Sequence, residues 1–394
     1  MKSGSTGQAT RFVVLDSWRG LAATMVALFH LFALGPVYDF PLIRHGWLFV
    51  DFFFVLSGFV ISHSYYSRLN AGGEVRAFVL QRFGRVYPLH LFMLGLYVLL
   101  ELSKMAAGAV AGLTFDQPPF SGDRVLATIP SNLLLIQSLG VNHDLSWNRP
   151  SWSISVEFAA YLVFAAVVAL SRWPRLWFAG VLLGSCAVLI LFPQPLWLNV
   201  TYDLGIFRCL VGFTLGHFIW TFTQDSNGSD EVFARLVRRH GTAFEVVAAG
   251  LSLIFVALVN EQPASYAGPF IFAFTVLVFS YEAGGLSKVL RTRPFQVLGE
   301  LSYSIYMVHA WLVLVFEIVL TKLMAKALGH SLSVFERGQV FLGTTPLEGT
   351  LIYVALLVCT IGMSFLTYRF VEAPGRAYFR KLARRGRPVA APAE

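Results

Sequence analysis

Apolar runs of about 20 residues recur along the whole chain, and they restrict its possible folds more than any other feature. One helical crossing of a bilayer core needs about 20 apolar residues. Charged residues make up 13% of the chain, about half of the roughly 25% typical of soluble domains. The runs are continuously apolar, unlike the alternating strands of a membrane barrel. We therefore predict an all-α polytopic membrane bundle and exclude a soluble enzyme, a disulfide scaffold and a disordered chain.

Proline and glycine breakers divide the apolar runs into ten predicted transmembrane spans. Their approximate ranges are 13–35, 47–65, 85–103, 151–170, 176–193, 202–222, 242–260, 267–282, 300–321 and 350–371. A further apolar stretch, 131–139, is too short to cross and is predicted to be a re-entrant or interfacial segment. The first run lacks a small-residue cleavage site, so we interpret it as a retained span.

The distribution of basic residues predicts the orientation of these spans. With both termini in the cytoplasm, inner loops and tails hold 21 of the 30 Lys and Arg residues, and outer loops hold 7. This bias follows the positive-inside rule and indicates membrane orientation rather than nucleic-acid binding. We predict a multi-pass protein of the bacterial cytoplasmic membrane, with a membrane domain over 1–372 and a basic cytoplasmic tail over 373–394.

The three cysteines predict neither disulfides nor metal sites. Cys186, Cys209 and Cys359 all fall in apolar segments, and no CxxC spacing is present. No HExxH motif, GxSxG elbow or glycine-rich phosphate loop is found either. We therefore expect no metal, and the candidate functional residues are ionisable and polar groups inside the spans, where such groups are expensive.

Span 1 carries Asp16, Arg19 and His30. Arg19 and His30 are eleven residues apart, which places them on one helix face about 16 Å apart along the axis. With the N-terminus inside, Arg19 lies near the cytoplasmic surface and His30 lies toward the outer half. The simpler interpretations are a snorkelling anchor for Arg19 and an interhelical hydrogen bond for His30.

Two further arginines, Arg82 and Arg85, precede the third span at a spacing of one helical turn. Guanidinium groups at this spacing can clamp a phosphate, although positive-inside anchoring alone would also explain them. Because Arg19 is at the same depth, the three arginines could converge on one anionic ligand from the cytoplasm.

Other polar residues lie in spans 2, 4, 6 and 9. Asp51 is surrounded by aromatic residues and is either functional or a partner for an arginine. Glu157 is predicted near the outer half, on one face with Ser153, and either holds an imidazole in position or pairs with Arg208. Span 9 carries a polar stripe predicted to face inward, either functional or a packed Tyr–His pair, consisting of Ser302, Tyr306 and His309.

These residues also resemble the pattern of a known family. Arg19 and His30 form R-x10-H, Arg82 and Arg85 form R-x-x-R, and VDFFFVLSGF, WSISVEF, FRCLVGFTLG and LSYSIYMVH follow in order around them. Each motif is weak alone, but together they are specific. From LDSWRG to YRFVEAPGR the chain resembles acyltransferase family 3, the integral-membrane O-acyltransferases of cell-surface polysaccharides and some small molecules.

The resemblance implies a ten-span bundle in which His30 is the catalytic histidine. It further implies that Arg19 supports His30 or the donor, and that Arg82 and Arg85 bind acyl-CoA, usually acetyl-CoA. Some members carry a fused extracytoplasmic SGNH-type domain. The sequence after the last predicted span is too short for one, so acceptor handling is expected in the membrane part or in a separate protein.

The expected reaction transfers an acyl group to a hydroxyl of a cell-envelope glycan or glycolipid. His30 would act as general base, with Glu157 or Asp51 fixing its tautomer, or would carry the acyl group transiently. Arg208 or His309 would donate to the oxyanion. We predict that the substrate is bound by residues from four spans, namely Asp16, Trp152, Ser153, Arg208, Tyr306 and His309.

Two other classes of function remain open from the sequence. A proton-coupled transporter would also bury Asp, Glu, His and Arg, but neither inverted repeats nor paired broken helices are evident. A non-catalytic scaffold or flippase partner is the third class, and it leaves the cost of these buried groups unexplained. The sequence does not fix the acceptor, the acyl length or the oligomeric state.

Overall fold

The computed structural model describes residues 12–73, 75–192, 194–224 and 229–385. Twelve helices of eleven or more residues dominate this part of the chain. In chain order they are α1 (Val13–Phe29), α2 (Phe49–Asn70), α3 (Val75–Ala111), α4 (Trp152–Leu170), α5 (Pro174–Leu191), α6 (Gly205–Thr223), α7 (Ser229–Arg239), α8 (Gly241–Leu258), α9 (Gly268–Ser280), α10 (Arg293–Ile318), α11 (Pro346–Thr367) and α12 (Ala373–Arg384).

Shorter elements connect these helices. The short α-helical turns are Pro36–Asp39, Pro41–Arg44, Ile129–Leu133, Gly285–Leu290 and Ala325–Leu328. Strands β1 (Ser333–Glu336) and β2 (Gln339–Leu342) form an antiparallel hairpin. Leu342 also exchanges backbone hydrogen bonds with the segment after α1, donating to Phe32 and accepting from Leu34. The hairpin therefore covers the end of α1 at which His30 lies.

Nine helical segments of the described chain are long and apolar enough to cross a membrane. They coincide with the nine predicted spans from 47–65 to 350–371. The remaining predicted span corresponds to α1, which has 17 helical residues and would extend about 25 Å at 1.5 Å per residue. The all-α polytopic fold is confirmed, and the count of ten spans stays a prediction.

Much of the outward-facing surface of this bundle is apolar. Leu183 on α5 is 70% exposed, and Leu191 at the end of the same helix is 72% exposed. Leu170 at the end of α4 is 84% exposed. Large apolar side chains exposed in such numbers are unusual for a soluble monomer and suit contact with lipid tails.

Glycine allows the closest helix pairs to form. A Cβ on Gly58 of α2 would collide with the carbonyl of Phe213 on α6, and Gly216 of α6 lies equally close to Val55 of α2. Small residues let two helix backbones approach in the absence of a hydrophobic driving force between them. A similar close approach occurs between α1 and α10, where Gly20 lies against the backbone at Gly299.

Helix α3 begins at Val75, ten residues before the predicted start of span 3 at 85. Ala77 and Phe78 are buried, so the extra turns have an apolar face to pack. Pro88 lies inside the helix without ending it. Arg82 and Arg85 therefore project from the body of a helix rather than from a loop before it.

The predicted tail from 373 onward begins with α12, which packs along α3. Helix α12 has its own apolar residues, and Phe379 lies against Phe83 with ring centroids 5.4 Å apart. Residues 386–394 lie outside the described residues. The stretch 131–139 overlaps the short helix Ile129–Leu133 and a following turn, so it does not cross the bundle.

Candidate active site

The end of α1 opens into a cavity of about 770 Å³, hereafter the histidine cavity. His30 follows directly after the last residue of α1, and its side chain lines this cavity. Aromatic groups form much of the wall, including Trp47, Trp152 and Tyr202, and Arg208 contributes a guanidinium. The histidine cavity is large enough for a sugar-sized or larger ligand.

Hydrogen bonds fix the imidazole of His30. Its Nδ1 lies 2.8 Å from the carbonyl oxygen of Val26 and 3.2 Å from Nε2 of His309. A carbonyl only accepts, so Nδ1 of His30 carries the hydrogen and donates it. The Nε2 atom of the neutral ring therefore keeps its lone pair free to take a proton or attack an electrophile.

His309 is fully buried on α10 and lies beside the imidazole of His30. Its Nδ1 lies 3.2 Å from the carbonyl of Ile305, which assigns the hydrogen to Nδ1 and leaves Nε2 as an acceptor facing His30. The two imidazole rings are 4.8 Å apart. His309 is thus suited to orienting His30, and its Nε2 has no hydrogen to offer an oxyanion.

A second cavity of about 120 Å³, hereafter the arginine cavity, lies among α1, α2, α3, α4 and α10. Arg19, Arg82 and Arg85 all line it, together with Glu157 and Ser302. Much of the remaining wall is apolar and comes from α2. The structure thus brings together three arginines from α1 and α3.

Each arginine is held differently. The guanidinium of Arg19 pairs with Asp16 at 3.0 Å and donates to Ser302 at 2.8 Å. Arg82 donates to the hydroxyl of Tyr65 at 2.8 Å, and its buried Nε has no hydrogen-bond partner within the described chain. An orphaned donor on an open cavity wall suits an anionic ligand.

Arg85 is paired with Glu372, which also accepts a hydrogen bond from Ser304 at 2.9 Å. Glu372 is buried and lies one residue beyond the predicted end of the last span at 371. No role was predicted for it from the sequence. A carboxylate so close to an apolar segment is the signal that would have identified it.

Two residues, Val50 and Tyr306, line both cavities. The hydroxyl of Tyr306 accepts a hydrogen bond from Ser153 at 2.8 Å and donates to the carbonyl of Pro150 at 3.1 Å. The histidine cavity and the arginine cavity are therefore adjacent, and these two side chains lie on the boundary between them.

Asp51 and Arg208 form a buried ion pair, with distances of 2.9 and 2.7 Å. The guanidinium also lies over the rings of Trp47 and Trp152. The predicted pairing of Arg208 with Glu157 is therefore wrong, because the bidentate partner of Arg208 is Asp51. The interpretation of Asp51 as a partner for an arginine is the one that the structure supports.

Glu157 does not reach His30 either. It lines the arginine cavity and accepts a hydrogen bond from Tyr161 at 2.7 Å. The expectation that Glu157 or Asp51 fixes the tautomer of His30 is thus contradicted, and the Val26 carbonyl and His309 occupy those positions. The error arose because sequence spacing gives depth in the bundle only approximately and does not give helix rotation.

Arg149 also lines the histidine cavity, and no role was predicted for it from the sequence. Its charge interacts with His30, and its side chain has no ion-pair or hydrogen-bond partner in the part of the chain that the structure describes. Its backbone support is firm, since the neighbouring Asn148 donates to the carbonyl of Met307 at 3.0 Å. Within the described residues, no group of three or more His, Cys, Asp or Glu could hold a metal ion.

The sequence matches a known protein family over almost its whole length. The family model described as an acyltransferase domain covers residues 12–369. The chain belongs to acyltransferase family 3. The predicted family resemblance and the predicted enzyme class, an acyltransferase, are confirmed. No solved structure matches the chain significantly.

Curated members of acyltransferase family 3 are distant relatives. The chain is 25% identical over 75% of its length to peptidoglycan O-acetyltransferase OatA of Listeria monocytogenes, and it spans only 48% of that protein. It is 27% identical over 92% of its length to acyltransferase MdmB of Streptomyces mycarofaciens, covering 86% of that relative. The chain thus spans about half the length of the Listeria relative.

Proposed function

We propose that the protein is an O-acyltransferase of the bacterial cytoplasmic membrane. It transfers an acyl group, most simply acetyl, from cytoplasmic acyl-CoA to a hydroxyl of a cell-envelope glycan or glycolipid. The observation that carries this proposal is the free Nε2 of His30, which borders a cavity adjacent to a cluster of three arginines. The Listeria relative is a peptidoglycan O-acetyltransferase, which supports acetyl transfer and a glycan acceptor.

The arginine cavity is the proposed route of the donor. Acyl-CoA carries several negative charges at its nucleotide end, and guanidinium groups bind phosphate strongly. The apolar lining from Phe53, Val60 and Ile61 suits the thin, uncharged arm that bears the thioester. The excess of positive charge on inner loops supports a cytoplasmic position for this cavity.

The histidine cavity is the proposed acceptor site. Aromatic side chains such as Trp47, Trp152 and Tyr202 offer flat apolar faces to sugar rings, and charged groups on the same wall can hydrogen-bond hydroxyls. For reaction, Tyr306 and Val50 must move so that the thioester passes from one cavity to the other. Ser153, which holds the Tyr306 hydroxyl, then acts as a positioning residue.

In the proposed chemistry, Nε2 of His30 removes the proton of the acceptor hydroxyl as the oxygen attacks the thioester carbonyl. The resulting imidazolium is stabilised by the acceptors at Nδ1, the Val26 carbonyl and His309. The tetrahedral oxyanion then collapses, the C–S bond breaks, and His30 returns the proton to the leaving thiolate. The products are an O-acyl ester and free CoA.

Arg149 is the proposed oxyanion donor. Arg208 is bound to Asp51, and Nε2 of His309 has no hydrogen, whereas Arg149 borders the same cavity without a partner among the described residues. A preorganised positive group next to the developing charge stabilises the transition state.

The same Nε2 of His30 could instead attack the thioester first and form an acyl-imidazole. Labelled acetyl-CoA supplied without acceptor separates the two routes. We expect no label to remain on protein denatured rapidly at neutral pH, where an acyl-imidazole would survive the quench. Label attached to wild-type protein and absent from His30→Ala would establish the covalent route instead.

The proposed function is tested by counting O-acetyl groups on envelope glycans. Cells lacking the gene are complemented with wild type, His30→Ala, or the exposed control His240→Gln, and base-labile acetate is measured by mass spectrometry. We expect acetate with wild type and the control and none with His30→Ala, at equal amounts of folded protein. Equal acetate in all strains, including the deletion, would overturn the proposal.

A further inference from the structure

Helix α12 lies directly beside the part of α3 that carries Arg82 and Arg85. Gly375 near its start packs against Pro88, and Phe379 one turn later packs against Gly84. Neither glycine has room for a Cβ at these contacts. Because the contacts descend along α3 as they ascend along α12, the two helices run antiparallel here.

Three arginines of α12 follow one another at intervals of four residues, namely Arg376, Arg380 and Arg384. Residues at this spacing are neighbours on a helix surface and form a ridge. This basic ridge flanks the face that packs on α3. Lys381 lies about 100° from Arg380 and about 140° from Arg376 around the helix, so it faces away from the inner end of the ridge.

The inner end of the basic ridge reaches the arginine cavity. Arg376 is 3.4 Å from Glu372, the residue that pairs with Arg85, and its charge interacts with both Arg85 and Arg19. Its side chain remains 37% exposed. Arg380 and Arg384 have no ion-pair partner among the residues that the structure describes.

Positively charged side chains outnumber negatively charged ones in this region. The guanidinium groups are those of Arg19, Arg82, Arg85, Arg376 and Arg380, whereas the nearby carboxylates are those of Asp16, Glu157 and Glu372. Like charges held close together repel and destabilise a fold unless counter-charge is supplied. An anion with several charges, extended along the ridge, would supply it.

We propose that the basic ridge of α12 binds the phosphates at the nucleotide end of acyl-CoA. This inference rests on the proposed function, and it extends the donor site from the arginine cavity onto the C-terminal helix. The cavity of about 120 Å³ is too small for a whole nucleotide, so part of its phosphate charge must be held outside the cavity. The ridge begins at its edge and continues outward, away from Pro88.

Phospholipid headgroups offer the same phosphate chemistry, so the experiment must separate the two sources. Binding of CoA and of pantetheine, which lacks the nucleotide, is measured by calorimetry on the full chain in nanodiscs of neutral lipid. The variants are Arg376→Gln, Arg380→Gln and the control Lys381→Gln. Arg380 is exposed, so its replacement tests the ridge even if loss of Arg376 disturbs Glu372.

Each ridge variant is expected to raise the Kd for CoA about tenfold, the loss typical of one charge-assisted hydrogen bond. The Kd for pantetheine and all values for Lys381→Gln should not change. Unchanged CoA binding in both ridge variants, or equal losses for CoA and pantetheine, would overturn the inference. So would variants that lose only their affinity for anionic lipid vesicles. Folded wild-type protein that binds no CoA would instead refute the proposed function.

Discussion

Replacing His309 by alanine tests the assignment of the His30 tautomer. The Nδ1 hydrogen of His30 has two acceptors, the Val26 carbonyl at 2.8 Å and Nε2 of His309 at 3.2 Å. When Nε2 of His30 takes a proton the ring becomes a cation, and a hydrogen bond to a charged group contributes about 1.5–3 kcal/mol. Because the His309 bond is the longer one, the lower figure applies, and kcat should fall about tenfold.

The assay is the initial rate of label transfer from [14C]acetyl-CoA into base-labile ester in isolated membranes, normalised to folded protein. The KM for acetyl-CoA should stay unchanged, since His309 does not line the arginine cavity. His309→Gln keeps an acceptor at the same place and should recover most of the rate. A wild-type kcat in His309→Ala, or a loss as complete as in His30→Ala, would refute the reasoning.

Three other perturbations probe the fold and the donor site. Asp51→Asn or Arg208→Gln leaves the other member of the buried pair without its partner and should lower the free energy of unfolding by about 3–5 kcal/mol. The thermal midpoint in detergent should fall accordingly, and an unchanged midpoint would contradict the buried ion pair. Gly58→Val should force α2 away from α6, so that no monodisperse protein is recovered in size-exclusion chromatography. Gly95→Ala, with open space at its Cβ, should be recovered normally. Equal yields of the two variants would refute the close approach of α2 and α6. Arg82→Gln should raise the KM for acetyl-CoA about tenfold with little change in kcat, and an unchanged KM would exclude Arg82 from the donor site.

The fold class follows from the sequence because the bilayer restricts what can cross it. Nine predicted spans coincide with helices because a lipid-facing backbone must satisfy its own hydrogen bonds. Helix ends were less predictable, since they depend on packing. Helix α3 starts at Val75 because Phe78 finds a buried place, and α12 forms because Phe379 packs on α3.

The site was predictable where spacing along one helix decides the geometry. The i, i+3 spacing of Arg82 and Arg85, together with the depth of Arg19, indicated a cluster of arginines. Contacts between distant segments were not predictable in this way. Asp51 and Arg208 are 157 residues apart in sequence, and which carboxylate meets which guanidinium depends on helix rotations that a single sequence does not specify.

Which residues line each cavity could not be predicted from the sequence either. Glu157 was expected beside His30 because both were assigned to the outer half of the bundle, yet Glu157 lines the arginine cavity. The next residue, Phe158, packs against Phe83 of α3 with ring centroids 5.8 Å apart, so this face of α4 meets α3. Arg149 was overlooked because it precedes its span and looked like an ordinary loop residue.

The central claim is that the donor enters beside the arginines and reacts at His30 across the bundle interior. Sealed membrane vesicles of known orientation test it most directly, with [14C]acetyl-CoA on one face only and base-labile label counted on glycans of the opposite face. We expect transfer only from the cytoplasmic face, and none with His30→Ala although that variant still binds CoA. Transfer from either face alike, or at the wild-type rate without His30, would contradict it.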